Sequence, residues 1–325
     1  MHRRQLLKSL SVLGTSSLLL KAPWASAFQG SANRPNIVNV KRLFNQALAS
    51  NPSLIGFSNV EDNFTSRDLK IEGTIPASLQ GLFYRNGPAK HERQDIRYKH
   101  LFEGDGMLQE FAIYDGKISH RGKFINTPKF EKEKAADRFL YSGPDTRIPN
   151  SLPVSKADIV NTANTNVIAV GDDLWALWEA GSASKINPET LDFQGQVSLG
   201  EHSKYGSTLD GLPFSAHPKV EPNGDIWNFG LDRSGRVIVY HLSSTGKAKN
   251  VGLINAGYSG GMLHDFLITE RHVLLILPSL RKNSVSATNK QGFFESISFD
   301  RNQAMRVLVV EKSDLSIKKE YELAP

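Results

Sequence analysis

Two histidines of this 325-residue chain sit in matching surroundings, His217 in FSAHPKVEP and His264 in GGMLHDFLITE, each at the edge of a strand-like apolar run. Taken singly, a histidine beside apolar residues reads as a hydrogen-bonded structural group, because imidazole tolerates partial burial. The pair reads differently, because the two positions lie 47 residues apart in similar contexts. If the chain repeats at that period, the two imidazoles occupy equivalent points on neighbouring units and point at a common axis, where they could share a metal ion.

The other seven histidines (His2, His91, His100, His120, His202, His241 and His272) show no such relation. There is no cysteine. Disulfides, a thiolate nucleophile and a cysteine metal site are therefore excluded, and any metal must be held by His, carboxylates or backbone oxygens. Competing motifs are weaker. Gly257-Tyr258-Ser259-Gly260-Gly261 fits the G-x-S-x-G elbow of serine hydrolases, but that elbow needs a strand before it and a helix after it, and MLHDFLIT reads as a strand entry. HExxH is absent, and no histidine has an acid two residues on, as facial-triad irons usually do. The GDG of EGDGM lacks the further glycine or lysine of a phosphate loop, so its glycines are read as points of close backbone approach.

The elements that must carry these residues are short and β-rich. Asp115-Gly116, Gly171-Asp172 and Asn223-Gly224 are turn dipeptides about 50 residues apart, flanked by EFAIY, NVIAV, LWALW and IWNFG. VIVYHL, HVLLILP and MRVLVVE continue the pattern. A unit of roughly 40 to 50 residues made of antiparallel strands points to an all-β fold of propeller blades. Helices are expected only near KRLFNQALA and FEKEKAADRFL, and LYSGPDTRIPNSLP, 140–153, reads as a long loop over one face.

Composition is that of a globular protein, 39% hydrophobic and 22% charged. Arg3, Arg4, Lys8 and Lys21 fall in the first 27 residues, which contain no acid; the remainder has 35 basic against 33 acidic residues, too even a balance for nucleic-acid binding. Those 27 residues combine paired arginines, a modest apolar run and an Ala25-Ser26-Ala27 end, and so resemble a twin-arginine export signal leading to a bacterial periplasm. Residues 28–325 are read as one domain.

IEGTIPASLQGLFYRNGPA, HLFEGDGMLQEF, NTANTNVIAVGDDLWALWE, FSAHPKVEPNGDIWNFG and MLHDFLITE occur in this order across about residues 68 to 278. Together they resemble the signature segments of the carotenoid cleavage oxygenases, a family that includes apocarotenoid oxygenases, stilbene-cleaving dioxygenases and the retinoid isomerase of the eye. The resemblance implies a seven-bladed β-propeller in which four axial histidines hold a non-haem Fe2+. It makes His217 the first iron ligand, His264 the second, and Glu179 of ALWE the carboxylate that holds a ligating histidine; without it, Glu179 would read as a partly exposed strand residue. It implies O2-dependent cleavage of a conjugated double bond of a carotenoid or apocarotenoid into carbonyl products. No further catalytic residue is called for, and a peripheral membrane contact is an added expectation.

A stilbene-cleaving member would need a lysine and a tyrosine facing the phenol; Lys129 and Tyr98 are available, with solvated charge and strand packing as their ordinary roles. RNGP, 85–88, reads as a tight turn in which Arg85 ties loops together, and His100 matches a position that is not a ligand in the family. The chain stops at KKEYELAP, before the segments expected to bear the third and fourth ligands, so the reading is of an N-terminal part of the domain, aggregation-prone and inactive alone. The alternatives are an inactive ligand-binding propeller and, more remotely, a serine hydrolase acting through Ser259.

Overall fold

Short apolar runs separated by turn residues become short strands, and their bounds follow the runs closely. The computed structural model describes residues 37–66, 69–201, 203–232, 234–282 and 292–325, within a unit covering Ile37–Pro325. The expected export signal, residues 1–27, lies outside the described residues, as do His2 and His202. In chain order the strands are β1 (Phe64–Ser66), β2 (Gly81–Lys90), β3 (Glu92–Arg93), β4 (Ile96–Arg97), β5 (Asp105–Tyr114), β6 (Lys117–Phe124), β7 (Asn166–Val170), β8 (Asp173–Leu177), β9 (Ser184–Ile186) and β10 (Phe193–Gln196). They continue as β11 (Lys219–Val220), β12 (Ile226–Leu231), β13 (Val237–Leu242), β14 (Ala248–Ile254), β15 (Phe266–Ile268), β16 (His272–Leu277), β17 (Leu280–Lys282), β18 (Ile297–Phe299), β19 (Met305–Glu311) and β20 (Ile317–Leu323). The helices are α1 (Ile37–Ser50), α2 (Pro128–Ala135) and α3 (Phe293–Ser296).

Four antiparallel sheets of four strands result, with orders β1-β6-β5-β2, β10-β9-β8-β7, β11-β12-β13-β14 and β15-β16-β19-β20; β3-β4 and β17-β18 are inserted ribbons. These are successive propeller blades, here numbered 1 to 4. The three turn dipeptides are all hairpin turns. At Asp115-Gly116 both residues have positive φ, 50° and 70°, the twist that joins two adjacent strands through a two-residue loop.

Blade 3 shows how the sequence dictates stacking. β12 and β13 are buried on both faces: Trp227, Phe229, Val237 and Val239 enter the core shared with Phe266, Val273, Leu275 and Leu308 of blade 4. Ile226, Ile238, Tyr240 and Leu242 enter the core shared with Val170, Trp175 and Leu177 of blade 2. Alternate residues thus serve opposite neighbours, which is why these runs are apolar throughout. β16 instead buries only Val273, Leu275 and Leu277 fully, the period of two expected of a strand with one covered face.

Edge strands of successive blades are tied to one another. Asn86 of β2 donates to the carbonyls of Ala163 and Asn166 (2.8 and 2.9 Å), Asn166 of β7 donates to that of Ala216 (2.9 Å), and Lys219 of β11 pairs with Asp265 (2.8 Å) just before β15. Gly106 packs so tightly that a Cβ would lie 2.3 Å from the Ala163 carbonyl oxygen, the close approach expected of EGDGM.

One expectation fails here. RNGP is not a turn but part of β2, an edge strand, where an outward backbone needs no N–H at Pro88; the register shift between Pro88 and Lys90 absorbs the irregularity. The loop expected at 140–153 is irregular, as anticipated, yet firmly held. Glu103 accepts from the backbone of Asp145 and Thr146 and from the Thr146 hydroxyl, and Glu133 from the backbone of Leu140 and Tyr141.

Candidate metal centre

His217 lies on the arm that leads into β11. This segment has little strand pairing of its own, so its buried carbonyls need side-chain donors. The Tyr240 hydroxyl donates to Pro213 O (2.9 Å), Asn228 Nδ2 to Ser215 O (2.7 Å) and Asn166 Nδ2 to Ala216 O (2.9 Å). Phe214 is buried against Trp175 and Tyr240, and a Cβ on Gly230 would lie 1.8 Å from the Pro213 oxygen, so the arm runs in backbone contact with β12. His264 ends the longer arm from β14 to β15, whose course is set by buried Tyr258 donating to Met262 O (2.7 Å) and by positive φ at Gly257 and Gly261. Glu179 stands two residues beyond the end of β8.

These three side chains meet. The two imidazole centroids are 4.5 Å apart with their planes at 71°. Glu179 Oε1 lies 3.3 Å from His217 Nε2 and 3.1 Å from His264 Nδ1, and one donor atom from each residue fits within 4.8 Å of the others. His217 Nε2 and Glu179 Oε1 are buried yet have no hydrogen-bond partner, since the 3.3 Å approach lacks hydrogen-bond alignment. The Glu179 carboxylate raises the His217 pKa against the opposing effect of burial. Unsatisfied donor atoms of this chemistry, two imidazoles and a carboxylate, suit a divalent transition metal. His264 turns Nδ1 to the carboxylate, which leaves its Nε2 directed away from Glu179.

Among the described residues, the remaining histidines have other occupations. His120 bonds Gln109, His241 bonds Asp225, His272 lies by Glu311, and His100 caps a short 3₁₀ turn and stacks on Phe294. His91 is buried against Gly104, and burial pushes its pKa down to about 4. A second cluster, Glu221, Asp225 and His241, is already matched by Lys249 and Lys312. Ser259 lacks the elbow context: it stands on an irregular, exposed stretch between β14 and β15 with no helix after it.

Lys129 and Tyr98 depart from their ordinary roles. Lys129 is not solvated but 3% exposed, and Tyr98, also 3% exposed, follows β4 in a loop. Lys129 Nζ meets Asp105 (2.7 Å) and Glu133 (2.9 Å), Arg93 meets Asp105 (3.3 Å), and the ammonium stands 5.4 Å from the Tyr98 ring centre. Burial opposes the Lys129 charge, but Asp105, Tyr98 and Glu133 outweigh it and raise its pKa. The Tyr98 hydroxyl is buried without a partner. A separate cavity of about 420 Å³ beside blade 1 is lined by Asn59, Glu61, Lys90, Arg93 and other polar groups, a poor lining for an apolar polyene.

The residues that sequence reasoning passed over are those that hold the arms, Asn166, Asn228, Tyr240 and Tyr258. The asparagine-rich NTANTN run, placed just ahead of a strand, was the available signal for the first of them.

The chain matches the family described as retinal pigment epithelial membrane protein over residues 57–325. It is 28% identical over 264 residues to an apocarotenoid-15,15'-oxygenase of Synechocystis sp., covering 77% of this chain and 52% of the relative. It is 33% identical over 234 residues to resveratrol cleavage oxygenase 1 of Chaetomium globosum, covering 67% and 37%. The solved structure of cobalt-substituted Synechocystis apocarotenoid oxygenase is similar with a TM-score of 0.70 at 26% identity, over 84% of this chain and 58% of that one. The chain spans about half the length of the curated relatives it matches.

Proposed function

Given that the chain belongs to the carotenoid cleavage oxygenase family, we propose that His217 and His264 are ligands of a non-haem Fe2+ centre and that the whole protein cleaves a conjugated carbon-carbon double bond of a carotenoid or apocarotenoid. One O2 is consumed and each alkene carbon becomes a carbonyl, so two products leave and the atoms balance. The observation that carries this reading is the convergence of two imidazoles from adjacent blades, with His217 Nε2 buried and unpartnered. Bound ferrous iron would supply the activation and orientation of O2 beside the double bond.

The chain's own groups have distinct tasks. Glu179 Oε1 lies 3.1 Å from His264 Nδ1, where with the metal bound it would accept that N–H, fix the ring's tautomer and direction and offset part of the positive charge of the centre. His217 presents Nε2 from an arm whose carbonyls are held, so little ordering is left for the moment of binding. In the full-length protein, His217→Ala and His264→Ala are each expected to abolish iron loading and cleavage together. Iron content and activity at the wild-type level in either variant would remove the assignment.

A hydroxystilbene is the second substrate reading, favoured by the unpartnered Tyr98 hydroxyl beside Lys129 and by relatives named for resveratrol and lignostilbene cleavage. Retinal released from an apocarotenal, against aldehyde released from a hydroxystilbene, separates the two. Export through residues 1–27 belongs to the proposal, with a mature N-terminus at Phe28 in periplasmic material as its test, and so does peripheral membrane contact in keeping with apolar substrates.

A further inference from the structure

Asn166 is the first residue of β7, and its backbone partner across the hairpin is Leu177, two residues before Glu179. Its side chain crosses to the next blade and donates to the carbonyl of Ala216, the residue before His217. One carboxamide therefore connects a rung two residues short of Glu179 to the peptide that carries His217. Its own Oδ1 accepts from Val167 N (2.8 Å) and its Nδ2 donates to Ala216 O, so the amide is held at both ends, while its backbone carbonyl accepts from Asn86. Ala216 is fully buried, so without this donor its carbonyl would lose its only identified side-chain partner.

Resting on the metal reading above, we propose that Asn166 is a positioning residue of the metal centre: it sets the separation and direction of the His217 imidazole relative to Glu179. The chemistry requires an amide. A leucine of the same branching keeps an apolar filling and loses the donor, and an aspartate would present an oxygen to an oxygen. Tyr240 and Asn228 hold the same arm within its own blade, at Pro213 and Ser215, and do not reach Glu179. They stabilise the arm, whereas Asn166 aligns it across the seam.

The experiment uses the full chain and Co2+ as probe, measuring affinity and visible absorption beside the apo unfolding midpoint, for wild type, His217→Ala, Asn166→Leu, Asn166→Ala and Tyr240→Phe. Expected are at least about tenfold weaker Co2+ binding and an altered spectrum for both Asn166 variants, the range seen when groups that orient metal ligands are removed, with a midpoint lowered by the lost donor much as in Tyr240→Phe. Tyr240→Phe should lower the midpoint and spare the affinity. Should Asn166→Leu fail to fold, Asn166→Ala carries the comparison. Wild-type affinity in the Asn166 variants alongside loss in His217→Ala overturns the positioning role and leaves the metal reading intact. Equal binding by wild type and His217→Ala overturns the metal reading itself, and this proposal with it.

Discussion

Two polar clusters in this chain use the same kinds of group to different ends. Beside blade 1, Arg93, Lys129, Asp105 and Glu133 are all nearly inaccessible, and every charge has an opposite partner within 4 Å. At the start of β11 and β15, His217, His264 and Glu179 are partly exposed and close enough to interact, yet the facing atoms of His217 and Glu179 are unsatisfied. The first cluster pairs its charges with one another and holds an irregular loop in place; the second gathers two imidazoles and a carboxylate, a donor set that suits a divalent metal. Mutual charge pairing marks the structural network, whereas converging donor atoms of metal-ligand type mark the candidate site.

The comparison breaks most sharply at Lys129. Lys129→Met leaves Asp105 and Glu133 buried with Arg93 as their only nearby cation, and removing one partner from a buried ion network costs about 3–5 kcal/mol. Denaturant unfolding should record that loss, while the Co2+ affinity of the folded protein stays at the wild-type value. A weakened Co2+ site at unchanged stability would mean that the two clusters are not separate.

Acid is expected to act on the blade 1 side to a slightly smaller degree. His91 has a folded pKa of about 4, below its ordinary value near 6.5, because burial and the nearby Arg97 disfavour its charged form. Between these values the unfolded chain takes up a proton that the folded chain does not. The stability His91 contributes is therefore present above pH 6.5, falls as the pH drops, and is gone below about 4, a loss of about 3 kcal/mol in full. His91→Gln should flatten this slope between pH 6.5 and 4; an unchanged slope would assign the acid sensitivity elsewhere.

How much of this was legible depended on whether a residue's neighbours were near in sequence. The bounds of β13 and β19 could be read directly from VIVYHL and MRVLVVE, because strands in the middle of a blade are apolar on most positions. β20, IKKEYEL, could not, since every residue of an outer strand at this position is exposed and needs no apolar pattern. RNGP was read as a turn from its composition, although an edge strand tolerates the same residues. Lys129 was read as solvated because its partner Asp105 lies 24 residues away and only the fold unites them. The meeting of His217 and His264 was foreseeable because their spacing matches a blade. The role of Asn166 was not, because no local pattern says which distant carbonyl an amide will reach.

The smallest effect is expected at the seam between the two histidine arms, where it sharpens the contrast within the site itself. The His217 arm is held by buried amides, whereas the Lys219–Asp265 pair beside His264 is an ion pair open to water, with the carboxylate side chain 51% exposed. Exposed pairs are worth about 0–1 kcal/mol, because solvent screens the attraction and two side chains must be ordered to make it. Asp265→Asn should therefore shift stability by less than about 1 kcal/mol, and the shift should shrink further in high salt. A loss well above that range, insensitive to salt, would show the His264 arm to be as rigidly anchored as its neighbour. The small, salt-dependent loss would instead leave His264 as the adjustable member of the pair, the ring that Glu179 alone must steer.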